Sequence, residues 1–202
     1  KTTLIKLMLG FYDPVKGDIL LGGVSLKRYS HSEWRKRCGV VMQEGFIFSD
    51  SIAGNIGLID EIPDREKTDR AVETANIRDY IEGLPLGYNT RIGNDGQGLS
   101  TGQKQRLLIA RAVYKDPDFI FFDEATNALD ATNERTIMEN LGAFFEGKTV
   151  VIVAHRLSTV KNADQIIVLE KGEVAETGTH RELVSRKGAY FNLVKDQLEL
   201  GG

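Results

Sequence analysis

The sequence predicts an α/β fold with a mostly parallel sheet and an inserted helical stretch. Three observations carry this expectation. Strand-like and helix-like stretches alternate over most of the chain. The strand-like runs, such as FIFF at 119–122 and TVVIVA at 149–154, are continuously apolar, as suits strands covered on both faces. The alternation stops between residues 49 and 114, where no continuous β-branched run occurs.

Taken in order, TLIKLML at 3–9 is apolar and free of breakers, which predicts a helix. GDILLGG at 17–23 is a short strand between turns, residues 32–37 are a charged helical patch, and GVVMQ at 39–43 is a buried strand. Within the insert, residues 64–75 and 77–82 are helical, and the glycine-rich stretch 83–98 is a loop. Residues 101–114 place Leu107, Leu108, Ala110, Ala112 and Val113 at helical spacing, with basic residues on the other side. After the strand at 119–122 come a helix at 132–145, the strand at 149–154 and a third apolar strand, QIIVL, at 165–169. A Lys171-Gly172 turn leads into residues 173–175, and two amphipathic helices at 181–185 and 190–198 close the chain. The expected division is a core part at 1–48, a helical subdomain at 49–115 and the rest of the core at 116–202.

The 202 residues are 41% hydrophobic and 27% charged, a globular balance. A net charge of -3 gives no basic footprint for nucleic acid. One cysteine, Cys38, cannot form an internal disulfide and is expected to be a small buried hydrophobe. Trp34, with Tyr29, is expected to pack. No apolar run reaches the roughly 18 residues of a membrane span.

Three short segments carry chemistry. Lys1-Thr2-Thr3 ahead of an apolar helix is the end of a phosphate-binding loop, in which a lysine reaches the β- and γ-phosphates and a hydroxyl reaches Mg²⁺. Alone, it is equally an ordinary helix start. Phe119 to Phe122 run into Asp123 and Glu124, two acids at the edge where α/β sheets bind ligands. The first can hold Mg²⁺ and the second can deprotonate a water, or the strand simply meets solvent there. Ser100, in Leu99-Ser100-Thr101-Gly102-Gln103, is an N-cap whose helix start can bind an anion.

The order KTT, VMQ at 41–43, LSTGQ at 99–103, FIFFDE at 119–124, NALD at 127–130 and VAHR at 153–156 resembles the nucleotide-binding domain of ATP-binding cassette (ABC) transporters. The likeness runs from Lys1 to about Leu198 and implies a P-loop NTPase (RecA-like) sheet with an inserted helical subdomain. It implies ATP and Mg as ligands. It makes Lys1 the phosphate-loop lysine, Thr2 the Mg²⁺ hydroxyl and Thr3 a neighbour of the α-phosphate. Gln43 would approach the metal and the attacking water, Asp123 would hold the metal, and Glu124 would be the catalytic base. His155 would contact the γ-phosphate. Ser100, Thr101, Gly102 and Gln103 would close on ATP held by a second copy in a head-to-tail dimer, across which Asp130 communicates.

Residues 90–96 (TRIGNDG) are similar to the exporter T-x-V-G-E-x-G pattern, with Asn94 in place of the glutamate. The stretch QEGFIFSDSIAGNI at 43–56 also resembles exporters; Phe46 and Phe48 would meet a coupling helix of a transmembrane domain or pack in the core. The strings around 96–117 and 119–137 look closest to bacterial exporters that carry a cysteine-peptidase domain and secrete bacteriocin-like peptides. The resemblance thus implies partners in a membrane domain and a peptidase domain ahead of Lys1, at the cytoplasmic face of the bacterial inner membrane. Alternatives are an exporter of lipid, drug or large protein, a DNA-maintenance head domain, or a soluble translation factor. The segment between Gln43 and Leu99 is short and lacks heptads, against the head domain. Thr101 stands where the family usually has glycine, and Asn127 where serine is commoner. The chain opens after the phosphate-loop glycines, so the piece alone is expected to bind ATP weakly.

Overall fold

The structure is a computed structural model. It describes residues 1–93, 96, 98–154 and 156–199, with backbone alone at 196–199. Two compact bodies are present, residues 2–151 and residues from 152 onward together with Lys1.

In the first body, α1 (Thr2–Met8) is followed by a small hairpin of β1 (Leu20–Leu21) and β2 (Val24–Ser25). Helix α2 (His31–Lys36) is capped by the Ser30 hydroxyl and leads into β3 (Cys38–Val41). Trp34 packs as expected: its ring lies 4.8 Å from Phe119, and its indole N–H donates to the Met8 carbonyl at 2.9 Å. Cys38 is buried, its thiol donates to the Trp34 carbonyl, and burial pushes that thiol up to about 12.

The insert holds β4 (Asp50–Ser51), α3 (Ile52–Ile56), α4 (Arg65–Thr74), α5 (Arg78–Glu82), β5 (Arg91–Ile92) and α6 (Thr101–Lys115). It is mainly helical, but not free of strand. The loop expected over 83–98 contributes β5, which pairs antiparallel with β4. Two residues on each side are too few to leave a periodic signal. Packing of α3 and α4 on α6 buries Ile52, Ile56, Ala71, Val72, Leu107, Ile109 and Ala110. Each aliphatic side chain of leucine or isoleucine size contributes roughly 1.5–3 kcal/mol on burial.

Helix α6 ends at Asp116, left-handed at φ 48°, followed by Pro117, which cannot continue it. Then comes β6 (Phe119–Asp123), covered on both faces, α7 (Ala131–Phe145) and β7 (Thr149–Val153). The sheet order is β3-β6-β7. Strands β3 and β6 are parallel, with Cys38 opposite Phe119 and Val41 opposite Phe122. This is the α/β arrangement with a parallel sheet that the apolar runs predict.

The second body contains α8 (Leu157–Val160), β8 (Ile166–Glu170), β9 (Glu173–Gly178), α9 (His180–Arg186) and α10 (Ala189–Glu199). Here the expected third strand of the parallel sheet differs. β8 pairs antiparallel with β9 as a two-stranded sheet. The reason is the two-residue turn at Lys171 and Gly172, both at positive φ, which can only fold a hairpin. β8 accordingly alternates: Ile166 and Val168 join Leu183, Tyr190 and Val194 in a small core, while Ile167 is exposed.

Candidate functional site

The register Val41↔Phe122 sends two loops off the sheet side by side, one starting at Met42 and Gln43, the other at Asp123 and Glu124. Asp123 closes β6 and is 2% exposed, and among the described residues its Oδ2 has no hydrogen-bond partner. An unsatisfied buried carboxylate oxygen is costly, and a hard divalent cation is a group such an oxygen fits. The donor set therefore suits magnesium. Among the described residues no cluster of three or more His, Cys, Asp and Glu side chains forms a metal cage. Magnesium bound with phosphates needs only one or two protein carboxylates.

Glu124 follows at φ 53°, a conformation sparsely occupied outside glycine. Three bonds hold it. Its carbonyl accepts from Gln105 Nε2 at 3.1 Å and from the Asn127 N–H at 3.2 Å, and its carboxylate Oε2 accepts from Asn127 Nδ2 at 2.6 Å. Gln105 Oε1 accepts in turn from the Ala128 N–H at 3.0 Å. Thr126 donates to the buried Glu134 at 3.1 Å. Asp130 caps α7 by accepting from the N–H groups of Thr132 and Asn133 and from the Asn133 side-chain amide. Those bonds, Asn133 foremost, hold the Asp130 carboxyl below its ordinary range.

The loop after β3 is held otherwise. Gln43 is exposed, and its side chain makes no hydrogen bond among the described residues. Gly45 lies so close to α6 that a Cβ there would stand 2.2 Å from Leu108 Cδ1. The Phe46 carbonyl accepts from Arg111, which also donates to the Asn55 carbonyl and Oδ1. Burial pulls the Arg111 guanidinium down to about 10. Phe46 and Phe48 stack edge to face at 5.0 Å and are 64% and 44% exposed, so core packing is not their role. The two exporter-like segments meet: β5 pairs with β4, and Arg91 donates to the Ser49 carbonyl.

At α6, Ser100 is the N-cap. Its hydroxyl accepts from the Gln103 N–H and the Gln103 side chain accepts from the Ser100 N–H, a reciprocal capping box. Thr101 and Gly102 form the first turn. Lys1 is exposed just ahead of α1, whose first residues are Thr2 and Thr3. α1 lies beside β6. His155 and Asn94 lie outside the described residues. Gln105 is the functional residue that sequence reasoning missed. The available signal was a glutamine in line with Leu108 and Ile109 on the apolar side of a helix.

Residues 1–127 match the profile of the family described as ABC transporter. An ATP-dependent lipid A-core flippase of Cupriavidus metallidurans is 44% identical over 202 residues, covering 98% of this chain and 34% of that protein. The ABC multidrug transporter MDR5 of Trichophyton rubrum is 46% identical over 199 residues, covering 98% of this chain and 15% of that protein. Among solved structures, a bacterial Atm1-family ABC exporter with ATP bound superposes with a TM-score of 0.93 at 38% identity, over 98% of this chain and 35% of that one. The chain thus spans about a third of the flippase it matches. No helix among the described residues is long and apolar enough to cross a membrane. With the acid pair closing β6, the capped helix at Ser100 and a family match over residues 1–127, the chain belongs to the ABC transporter family.

Proposed function

We propose that this chain is the ATP-binding and hydrolysing engine of a bacterial ABC exporter. The observation that carries the reading is Asp123 Oδ2, buried and unpartnered at the sheet edge beside Glu124. Asp123, Thr2 and Gln43 would hold Mg²⁺. When bound, the ion neutralises charge on the β- and γ-phosphates of ATP. Lys1 would reach the same phosphates and Thr3 would lie near the α-phosphate. Glu124 accepts the proton of a water placed in line with the γ-phosphate, while Gln43 and His155 position that water and the phosphate. Most of the catalysis is then positioning and charge stabilisation.

Leu99 to Gln103 would act on the nucleotide held by a second copy in a head-to-tail dimer. The capped start of α6 offers backbone N–H groups to an anion. Asp130 would communicate across that dimer. Residues 1–48 and 116–202 would form the core and residues 49–115 the signature subdomain. A transmembrane domain would dock at Phe46 and Phe48, placing the engine at the cytoplasmic face of the membrane. Their exposure supports this, as does an apolar groove of about 300 Å³ lined by Leu9, Phe11, Ile56, Leu58 and Ile59.

For the cargo, the strings around the signature and β6 support a peptide exporter with a peptidase domain. A lipid or drug exporter is the second reading, favoured by the names of the flippase and multidrug relatives. Mg²⁺-dependent ATP hydrolysis by the full-length protein in liposomes tests the engine. Hydrolysis should vanish in Glu124→Gln while ATP still drives pairing of the domains; unchanged turnover in that variant sinks the reading. Stimulation by added peptide, lipid or drug separates the cargo classes.

A further inference from the structure

We infer that Gln105 is a positioning residue for the base: from inside the signature helix it fixes the main chain of Glu124 and so the direction in which that carboxylate faces. The inference deepens the proposed function and rests on Glu124 being the base.

Both ends of one carboxamide are used on one loop. Nε2 donates to the Glu124 carbonyl at 3.1 Å, and Oε1 accepts from the Ala128 N–H at 3.0 Å. Gln105 is 6% exposed, so water is a poor substitute for either bond. A residue at φ 53° keeps that conformation only where its surroundings hold it there. Gln105 spans Glu124 and Ala128, with the Asn127 bonds lying between.

Two further contacts tie α6 to the same loop. Gly102 lies against it, with the Ala128 carbonyl 3.4 Å from where a Cβ would sit. Arg106, next to Gln105, donates to the Asn76 carbonyl at 2.7 Å. The Asn76 side chain donates to Asn133 at 2.9 Å, and Asn133 donates to Asp130 at 2.6 Å. The opening turns of α6 therefore hold the loop at Glu124 and Ala128 directly and at Asp130 through two asparagines. In a head-to-tail dimer the signature segment serves one nucleotide and Glu124 of the same chain serves the other. Gln105 then makes engagement at one site set the base at the other.

The test uses the full-length exporter in liposomes. Gln105→Leu removes both hydrogen bonds, and Gln105→Glu keeps the shape and the acceptor for Ala128 but loses the donor to Glu124. Both should lower kcat, the leucine variant by about 10²-fold, as a misplaced catalytic group does. KM for ATP should stay within about twofold and ATP-driven pairing should persist, because uniform binding is untouched. Gln105→Glu remains informative if the leucine variant fails to fold. Normal kcat in a folded Gln105→Glu protein, or a loss confined to KM, overturns the inference. In the Glu124→Gln background, Gln105→Leu should leave the residual single-turnover rate unchanged; a further fall there also overturns it. Full turnover in Glu124→Gln alone instead removes the base assignment, and is read separately from either Gln105 result.

Discussion

The loops that leave β3 and β6 start side by side on adjacent strands and are held in opposite ways. The loop after β6 is bonded through side chains at Glu124, Thr126, Ala128 and Asp130. The loop after β3 is fastened through its backbone at Gly45 and Phe46, leaving the Gln43 amide and the Phe46 ring exposed. One helix, α6, serves both: Gln105 grips the first, and Leu108 and Arg111 grip the second. A base must face one way, so its loop is over-determined. A residue that meets both a metal site and a neighbouring domain gains from a free side chain on a fixed backbone.

The largest effect that sharpens this contrast is catalytic. Glu124→Gln is expected to lower turnover of the full-length protein by about 10²–10⁴-fold, the range for losing a general base. Gln43→Ala should cost less turnover and, being exposed, should shift stability by less than about 0.5 kcal/mol. A Gln43 variant that unfolds more easily than Glu124→Gln would reverse the comparison.

Next comes the backbone fastening. Gly45→Ala pushes a methyl into the buried Leu108 side chain and should cost about 1–3 kcal/mol of stability by urea titration, the range for overpacking. Thr126→Val leaves Glu134 with one donor fewer and should cost about 1 kcal/mol. Equal denaturation midpoints for Gly45→Ala and the parent protein would mean that the first loop is not fastened to α6.

The smallest effect concerns the strand beneath both loops. The Cys38 thiol, held near 12 by burial, stays protonated in the folded chain. In the unfolded chain it ionises near pH ~8.5. Over that interval the unfolded state sheds a proton that the folded state keeps. Stability from this group is therefore complete below pH ~8.5 and falls as pH rises toward 12. Cys38→Ala should flatten the alkaline slope of the urea midpoint; an unaltered slope would place the sensitivity elsewhere.

Much of this was legible in the sequence. The apolar runs at Phe119–Asp123 and Thr149–Val153 name their strands because burial on both faces leaves an unbroken pattern. The acid pair and the cap at Ser100 are local features that keep their meaning in three dimensions. What escaped depends on pairing across distance. The two-residue strands β4 and β5 exist only because residues 50–51 and 91–92 meet. β8 has the composition of a central strand, and only its turn reveals a hairpin. Gln105 carries no motif; its role is set by a loop that folds against it.

The parallel pairing of β3 with β6 also bears on how the protein is made. Cys38 finds Phe119 only after the whole helical insert has left the ribosome, a high contact order for so short a sheet. Until then the apolar CGVV segment is an unsatisfied strand, the kind of surface that chaperones shield. Slowing translation within the insert should lengthen that exposure. The two loops can take their places only once the seam has zipped, so assembly of the catalytic machinery is a late event in the life of the nascent chain.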